Sequence, residues 1–91
     1  MTLISDYYTN KGGDYKPSNA RVKRILDLLG DVKGKKILDI GCSQGVFGKI
    51  LKDRGAIVVG CDISAKHIEV AQNVLDKAFV FDIENDDIII D

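Results

Sequence analysis

Apolar residues along this chain recur at two spacings, and each spacing predicts a different element. One set repeats every three or four residues, which is the spacing of a single helix face: Val22, Ile25, Leu26 and Leu29. Ser18 or Asn19 can cap the start of this helix after Pro17, and Gly30 ends it. The pattern therefore predicts an amphipathic helix that packs one face against a core.

Short, uninterrupted apolar runs follow this helix, and they are typical of strands buried in a parallel sheet. The runs lie at 37–40, 57–61 and 78–81. Two more amphipathic segments connect them: one with Val46, Phe47, Ile50 and Leu51 inward, and one from Ala65 to about Leu75. The order helix, then β-α-β-α-β, predicts an α/β fold with a parallel sheet and right-handed crossovers.

The two ends of the chain carry weaker patterns. Residues 1–17 are polar and show no clear period, so we interpret them as an N-terminal arm or short helix followed by a loop. Residues 18–91 then form the domain itself. Near its end, an acidic turn at 84–87 precedes a last apolar run at 88–90.

Composition narrows the class of protein. The chain has 91 residues, of which 45% are hydrophobic and 30% charged, and this length fits a single domain. No apolar stretch is long enough to span a membrane, and the first residues do not resemble a secretory signal. With only two cysteines in such a chain, we expect reduced thiols and a cytoplasmic location.

The net charge of −1 conceals an asymmetry along the chain. Residues 1–36 carry eight Lys or Arg against four acids, whereas residues 37–91 carry five against ten. A nucleic-acid-binding protein needs a basic face, and the acidic second half argues against a large one. We therefore expect a small-molecule ligand and neither a nucleic acid nor a membrane as partner.

A glycine-rich loop directly follows the first predicted strand. It has the pattern Gly41-x-Ser43-x-Gly45-x-x-Gly48 and leads into a helix. In an open α/β sheet, ligands bind at the carboxyl ends of the strands, where glycine lets a ligand approach the backbone. The spacing differs from the dinucleotide fingerprint G-x-G-x-x-G, which disfavours a nicotinamide-dependent protein.

Each predicted strand also ends on or near a carboxylate: Asp39, Asp62 and Asp82. Because these strand ends share one edge of the sheet, the three acids can form a row that binds a nucleoside. Asp62, 21 residues after Gly41, stands where a carboxylate accepts both ribose hydroxyls. Asp39 would repel a pyrophosphate but would favour a ligand that carries a cationic amine and a sulfonium.

These segments resemble the class I S-adenosylmethionine-dependent methyltransferases. Residues 37–45 are similar to their first motif, 58–64 to their second-strand motif and 81–84 to their third-strand motif. The resemblance implies a three-layer, Rossmann-like α/β fold with strand order 3-2-1. Its cofactor is S-adenosyl-L-methionine. The match extends from about Tyr7 to Asp87, although the match of Tyr7 and Tyr8 to a cofactor-covering segment is weak.

The resemblance also implies roles for the loop and the first acid. Gly41, Ser43 and Gly45 would line the methionine part of the cofactor, and Asp39 would hold its amine directly or through water. Position 43 is more often glycine in this family, so serine there implies an altered loop contact.

Roles for the other two strand ends follow in the same way. Asp62 would bind the ribose hydroxyls and Ile63 would pack on the adenine. Asp82 would accept from the adenine amino group, while the Ile83 backbone N–H would donate to a ring nitrogen. With one histidine and no CxxC pair, the sequence offers no set of metal ligands, and we assign no catalytic residue.

The family fold has seven strands, whereas this sequence predicts three. We therefore expect a truncated fold, the N-terminal cofactor-binding half, and expect this length of chain not to transfer a methyl group unaided. In this arrangement the first predicted strand, 37–40, would be an exposed apolar edge that invites self-association. The run at 88–90 or a second copy could cover it.

The three acids and the glycine loop also have other interpretations. Asp39 could be a polar strand end, Asp62 a helix cap and Asp82 the start of an acidic turn. Gly41-Cys42-Ser43-Gln44-Gly45 also matches the G-x-S-x-G nucleophile elbow of hydrolases, but His67 follows too early to complete a triad. A non-catalytic nucleoside-binding module is the main alternative to an enzyme.

Overall fold

The computed structural model describes residues 1–5, 18–82 and 84–86. In this part of the chain, helices and strands alternate as the sequence predicts. In chain order they are β1 (Thr2–Ser5), α1 (Asn19–Leu29), β2 (Lys36–Ile40), α2 (Val46–Asp53), β3 (Ile57–Asp62), α3 (Ala65–Ala71) and β4 (Lys77–Val80).

The strands form one parallel sheet in the order β1-β2-β3-β4. The three predicted strands are β2, β3 and β4, so the predicted order 3-2-1 is confirmed. Ile40 lies opposite Cys61, and Asp62 lies opposite Val80. This register brings the carboxyl ends of the three strands to the same edge.

Strand β1 corrects two expectations. Thr2–Ser5 is a strand and not part of an arm or helix, and it pairs with β2 from Thr2 opposite Ile37 to Ser5 opposite Ile40. The edge of β2 that we expected to be exposed is therefore covered. The four residues of β1 are too few to show the period of a strand in the sequence. The hydrogen bonds that make this segment a strand come from β2, which lies far away in the chain. The run at 88–90 lies outside the described residues.

Helix α1 begins and ends where the sequence predicts. The Ser18 hydroxyl accepts a hydrogen bond from the Arg21 N–H at 3.2 Å, which satisfies one of the free donors of the first turn. Gly30, at φ 67°, ends the helix, and its N–H donates to the Leu26 carbonyl at 3.0 Å. Both caps confirm the sequence reading.

Helices α2 and α3 differ from expectation in detail. Val46 is 41% exposed and does not face inward, whereas Phe47 and Leu51 are buried. Helix α3 ends at Ala71, before the expected Leu75, and residues 72–76 continue as turns. Leu75 is still buried, because its N–H donates to the Ala71 carbonyl at 2.8 Å and the turn thereby keeps its side chain on the core.

The main core lies between the sheet and the helices. It contains residues of β2, β3 and β4 together with Phe47, Leu51, Ile68 and Ala71 from α2 and α3, and the apolar face of α1 packs against it. A second cluster on the other face of the sheet contains Leu38, Ile40, Cys61 and Phe81 and no residue of these helices. The described residues thus supply one helical layer of the predicted three-layer fold.

None of the helices in the described ranges is both long and apolar enough to cross a membrane.

Asp76 ties the turn after α3 to the sheet and to α2. Its carboxylate accepts from the Val58 N–H at 2.7 Å and from the Lys52 ammonium at 3.2 Å, while its own N–H donates to the Val58 carbonyl at 3.1 Å. The Val58 hydrogen bond is the main reason that the pKa of Asp76 is lowered, and Lys52 adds to it. This acid therefore stabilises the turn that places Leu75 in the core.

We predict that Asp76→Ala lowers the free energy of unfolding by about 1–3 kcal/mol, because the N–H of buried Val58 loses its acceptor. Asp53→Ala is the matched control: Asp53 forms an exposed ion pair with Lys49 one helical turn away, and its loss costs at most about 0.5 kcal/mol. Chemical denaturation at neutral pH measures both values. Equal losses in the two variants would contradict the proposed role of Asp76.

The same interaction predicts a pH dependence. Since folding lowers the pKa of Asp76 below its ordinary 3.8, its contribution is complete above that value and is lost as the pH falls through the lower, folded-state pKa. The stability difference between the native protein and Asp76→Ala should therefore shrink in acid. A difference that stays constant as the pH falls well below 3.8 would show that the charge does not contribute.

Candidate functional site

The glycine loop 41–45 is fixed to the neighbouring strand by backbone hydrogen bonds. The N–H groups of Gly41 and Cys42 both donate to the Cys61 carbonyl, at 2.8 and 2.9 Å, and the Gly45 N–H donates to the Cys42 carbonyl at 2.9 Å. Gly41 and Gly45 have φ values of 76° and 88°, which favour glycine. The loop therefore makes a tight, ordered turn at the carboxyl end of β2.

Ser43 has the same kind of backbone conformation without being glycine. Its φ is 53°, it is buried, and its N–H donates to the Asp62 Oδ2 atom at 2.8 Å. This left-handed conformation is one that favours glycine over residues with a side chain. The serine hydroxyl donates to the Gln44 Oε1 atom at 3.3 Å, a contact that glycine at this position would not make.

Three glycines give the loop its close packing against the sheet. A Cβ atom at Gly60 would lie 2.6 Å from the Leu75 Cδ1 atom and 2.7 Å from the Cys42 Sγ atom, and one at Gly48 would lie 2.5 Å from the Leu75 Cδ2 atom. At Gly45 the distance to the Leu75 Cγ atom would be 3.2 Å. Leu75 therefore fills the space that the three missing side chains leave between α2, β3 and the loop.

Asp62 stands at the end of β3 and joins two turns. Besides accepting from Ser43, its carboxylate accepts from the Ser64 N–H at 2.9 Å through Oδ1. The cap of α3 is Ser64, whose hydroxyl accepts from the His67 N–H at 3.2 Å, so Asp62 is not the helix cap. Each Asp62 oxygen keeps acceptor capacity, and the side chain is partly exposed.

Ile63 follows Asp62 and is 64% exposed. A large apolar side chain directly beside a partly exposed carboxylate gives this edge both an apolar surface and hydrogen-bond acceptors. That combination suits a base attached to a sugar.

Asp39 lies deeper than the other two acids. It is fully buried in β2, in register with Gly60 on one side and Ile4 on the other. Burial is the main cause that raises the pKa of Cys61, and the negative charge of Asp39 adds to it. The structure therefore places Asp39 beneath the loop and near the end of β3.

Asp82 lies beside Asp62, because the Phe81 N–H donates to the Asp62 carbonyl at 2.9 Å. Its carboxylate accepts from the Asn85 side chain at 2.6 Å and from the Glu84 N–H at 2.9 Å. The hydrogen bond from the Asn85 side chain is the main cause that lowers the pKa of Asp82, and the bond from the Glu84 N–H adds to it. The acidic-turn reading is thus confirmed through residue 86, while Ile83 lies outside the described residues.

Sequence reasoning identified the carboxylates but missed how the loop is held. The bond from the Ser43 N–H to Asp62 joins residues 19 positions apart, and no local pattern reports it. A cavity of about 330 Å³ lies elsewhere, between α1 and Arg54, and no predicted site residue lines it. In the described ranges, no group of three or more His, Cys, Asp or Glu could hold a metal ion.

Comparison with known proteins points to one family. The family model of a methyltransferase domain matches residues 37–88, which is more than half of the chain. A ubiquinone biosynthesis O-methyltransferase of Coxiella burnetii is 39% identical over 75 residues, covering 78% of this chain and 31% of the relative. The corresponding protein of Pasteurella multocida is 36% identical over 64 residues, covering 66% of this chain and 26% of the relative.

A solved structure is similar in both sequence and fold. The crystal structure of a TehB-like SAM-dependent methyltransferase from Corynebacterium glutamicum superposes with a TM-score of 0.62 at 33% identity. The match covers 74% of this chain and 37% of that chain. The chain thus spans roughly a quarter to somewhat over a third of the proteins that it matches here.

The two cysteines give a direct test of how the loop packs. Cys42 and Cys61 are buried and form no disulfide, and burial is the main cause that raises the pKa of the Cys61 thiol to about 11. We predict that a thiol reagent at about pH 8 reacts with both cysteines at least a hundredfold more slowly in the folded protein than in denaturant. Fast labelling of the folded protein would contradict the described packing of the loop.

Proposed function

The chain belongs to the methyltransferase domain family, and we propose from this premise that it binds S-adenosylmethionine at the glycine loop and serves methyl transfer. The observation that carries the proposal is the Asp62 carboxylate. It fixes the loop through the Ser43 N–H at 2.8 Å and stands partly exposed next to Ile63. When bound, S-adenosylmethionine supplies an electrophilic methyl group on a sulfonium.

The chemistry of the edge fits this ligand. Asp39 and Asp62 stand at neighbouring strand ends, and Asp82 follows at the next. Three acids in a row favour a ligand with a positive amine and a sulfonium, and they disfavour a pyrophosphate. Cys42, Ser43 and Gly45 of the loop are buried, and methyl transfer depends largely on positioning and desolvation.

In this proposal each part of the ligand has its own residues. Gly41, Ser43 and Gly45 line the methionine part, because the loop brings their backbone to the edge. Asp39 attracts the amine from beneath the loop, where its burial strengthens the attraction.

The nucleoside lies along the ends of β3 and β4. Asp62 accepts from the ribose hydroxyls, Ile63 packs on the adenine, and Asp82 accepts from the adenine amino group. The Ile83 N–H donates to a ring nitrogen. We assign no catalytic residue, and the proposal names the class of reaction without the methyl acceptor.

The proposal includes a cytoplasmic location. Two cysteines that stand near the end of β3 without forming a disulfide suit a reducing compartment.

Calorimetric titration with three ligands tests which class of cofactor the protein binds. We predict that the protein binds S-adenosylmethionine and its demethylated product, S-adenosylhomocysteine, and binds NAD much more weakly. The reason is that the acidic edge repels a pyrophosphate. Binding of NAD without binding of the other two would contradict the methyltransferase proposal.

A double comparison tests the role of Asp62 separately from its structural bonds. S-adenosylhomocysteine and its 2′-deoxyribose analogue are each titrated into the native protein and into Asp62→Ala. We predict that the native protein prefers the hydroxylated ligand by about tenfold or more, the value of a hydrogen bond to a charged group. Asp62→Ala should bind both ligands equally, even if loosening of the loop weakens both.

Asp53→Ala is the control, because it removes an exposed acid far from the loop. It should keep the native preference. If Asp62→Ala keeps that preference too, the ribose role of Asp62 is wrong.

A further inference from the structure

Gln44 is the polar side chain of the glycine loop to which the sequence motifs assign no role. Among the five residues of the loop, it alone has a side chain with N–H groups, and it is partly exposed. The neighbouring positions are fixed: the Ser43 N–H is bound to Asp62 and the Gly45 N–H to the Cys42 carbonyl. Gln44 therefore projects from a rigid part of the loop.

The amide of Gln44 is also oriented. The Ser43 hydroxyl donates to its Oε1 atom at 3.3 Å, so the acceptor end of the amide faces the loop. The Nε2 atom donates to no residue that the structure describes, which leaves two N–H groups available at the edge of the site. The serine at position 43 thus orients the Gln44 amide, because glycine there would provide no hydroxyl to hold it.

The electrostatics of the loop create a need for such a donor. The acids that flank it, Asp39 beneath and Asp62 beside it, attract the amine of an amino acid but repel its carboxylate. A neutral amide can donate to that carboxylate without weakening the attraction for the amine. Glutamate, of almost the same size, would add a third negative charge instead.

We propose that the Gln44 amide, held by the Ser43 hydroxyl, donates to the carboxylate of the amino-acid part of the ligand. Gln44 thereby makes the site select nucleosides that carry an amino acid. This inference rests on the proposed function and assigns to it a residue that determines ligand specificity.

Two ligands that share a nucleoside test the inference. S-adenosylhomocysteine carries the amino acid, whereas 5′-methylthioadenosine lacks both the amine and the carboxylate. We predict that Gln44→Met, which keeps the length but removes the donors, weakens binding of S-adenosylhomocysteine by about tenfold. Binding of 5′-methylthioadenosine should change less than about twofold. Gln44→Glu should weaken the first ligand further, because two carboxylates then meet.

Asn73→Ala is the control, since it removes an exposed amide in the turn after α3 and should leave both affinities unchanged. Circular dichroism verifies that each variant folds, and either Gln44 variant alone suffices for the test. An equal loss for both ligands, or no loss for S-adenosylhomocysteine, would overturn the role of Gln44 but leave the proposed function intact. If the native protein binds neither ligand, the proposed function itself fails.

Discussion

The hydrogen bonds between the glycine loop and the end of β3 are the interaction on which the candidate site depends. Three consecutive N–H groups, of Gly41, Cys42 and Ser43, donate to Cys61 and Asp62. Two of these bonds end on a backbone carbonyl, and the third ends on the Asp62 carboxylate. The same carboxylate also accepts from Ser64 at the start of α3. One acid therefore sets the position of the loop and of the turn opposite it.

In these hydrogen bonds Asp62 has two related roles: it fixes the loop, and its own carboxylate is held in place for a ligand. Its bonds to backbone N–H groups are charge-assisted, so they fix the loop more firmly than a neutral side chain would. They also hold the carboxylate in one orientation before a ligand arrives, which reduces the entropy lost on binding. The glycines serve the same end, because Leu75 occupies the space at positions 45, 48 and 60. Structure and proposed function thus share a small set of residues.

The sequence predicts the repeated elements well because their signals are local. Strands β2, β3 and β4 are visible as apolar runs, and Ser18 and Gly30 mark the ends of α1. Strand β1 could not be predicted in this way, because four residues are too few to show a period. Its strand conformation depends on pairing with β2. The candidate site divides in the same way: position along the strands identifies the acids, but only the fold shows that Asp62 bonds to Ser43 and that Asp39 is fully buried.

We propose that the cofactor binds with its methionine part at the loop held by Asp62 and with its nucleoside along the ends of β3 and β4. Amide chemical shifts in a ¹H–¹⁵N NMR titration with S-adenosylhomocysteine test it most directly. If the cofactor binds there, the largest changes occur at residues 41–45 and 62–64, with little change at Lys33 or Lys35 at the opposite end of the sheet. Changes concentrated around the cavity between α1 and Arg54, with the loop unaffected, would contradict it.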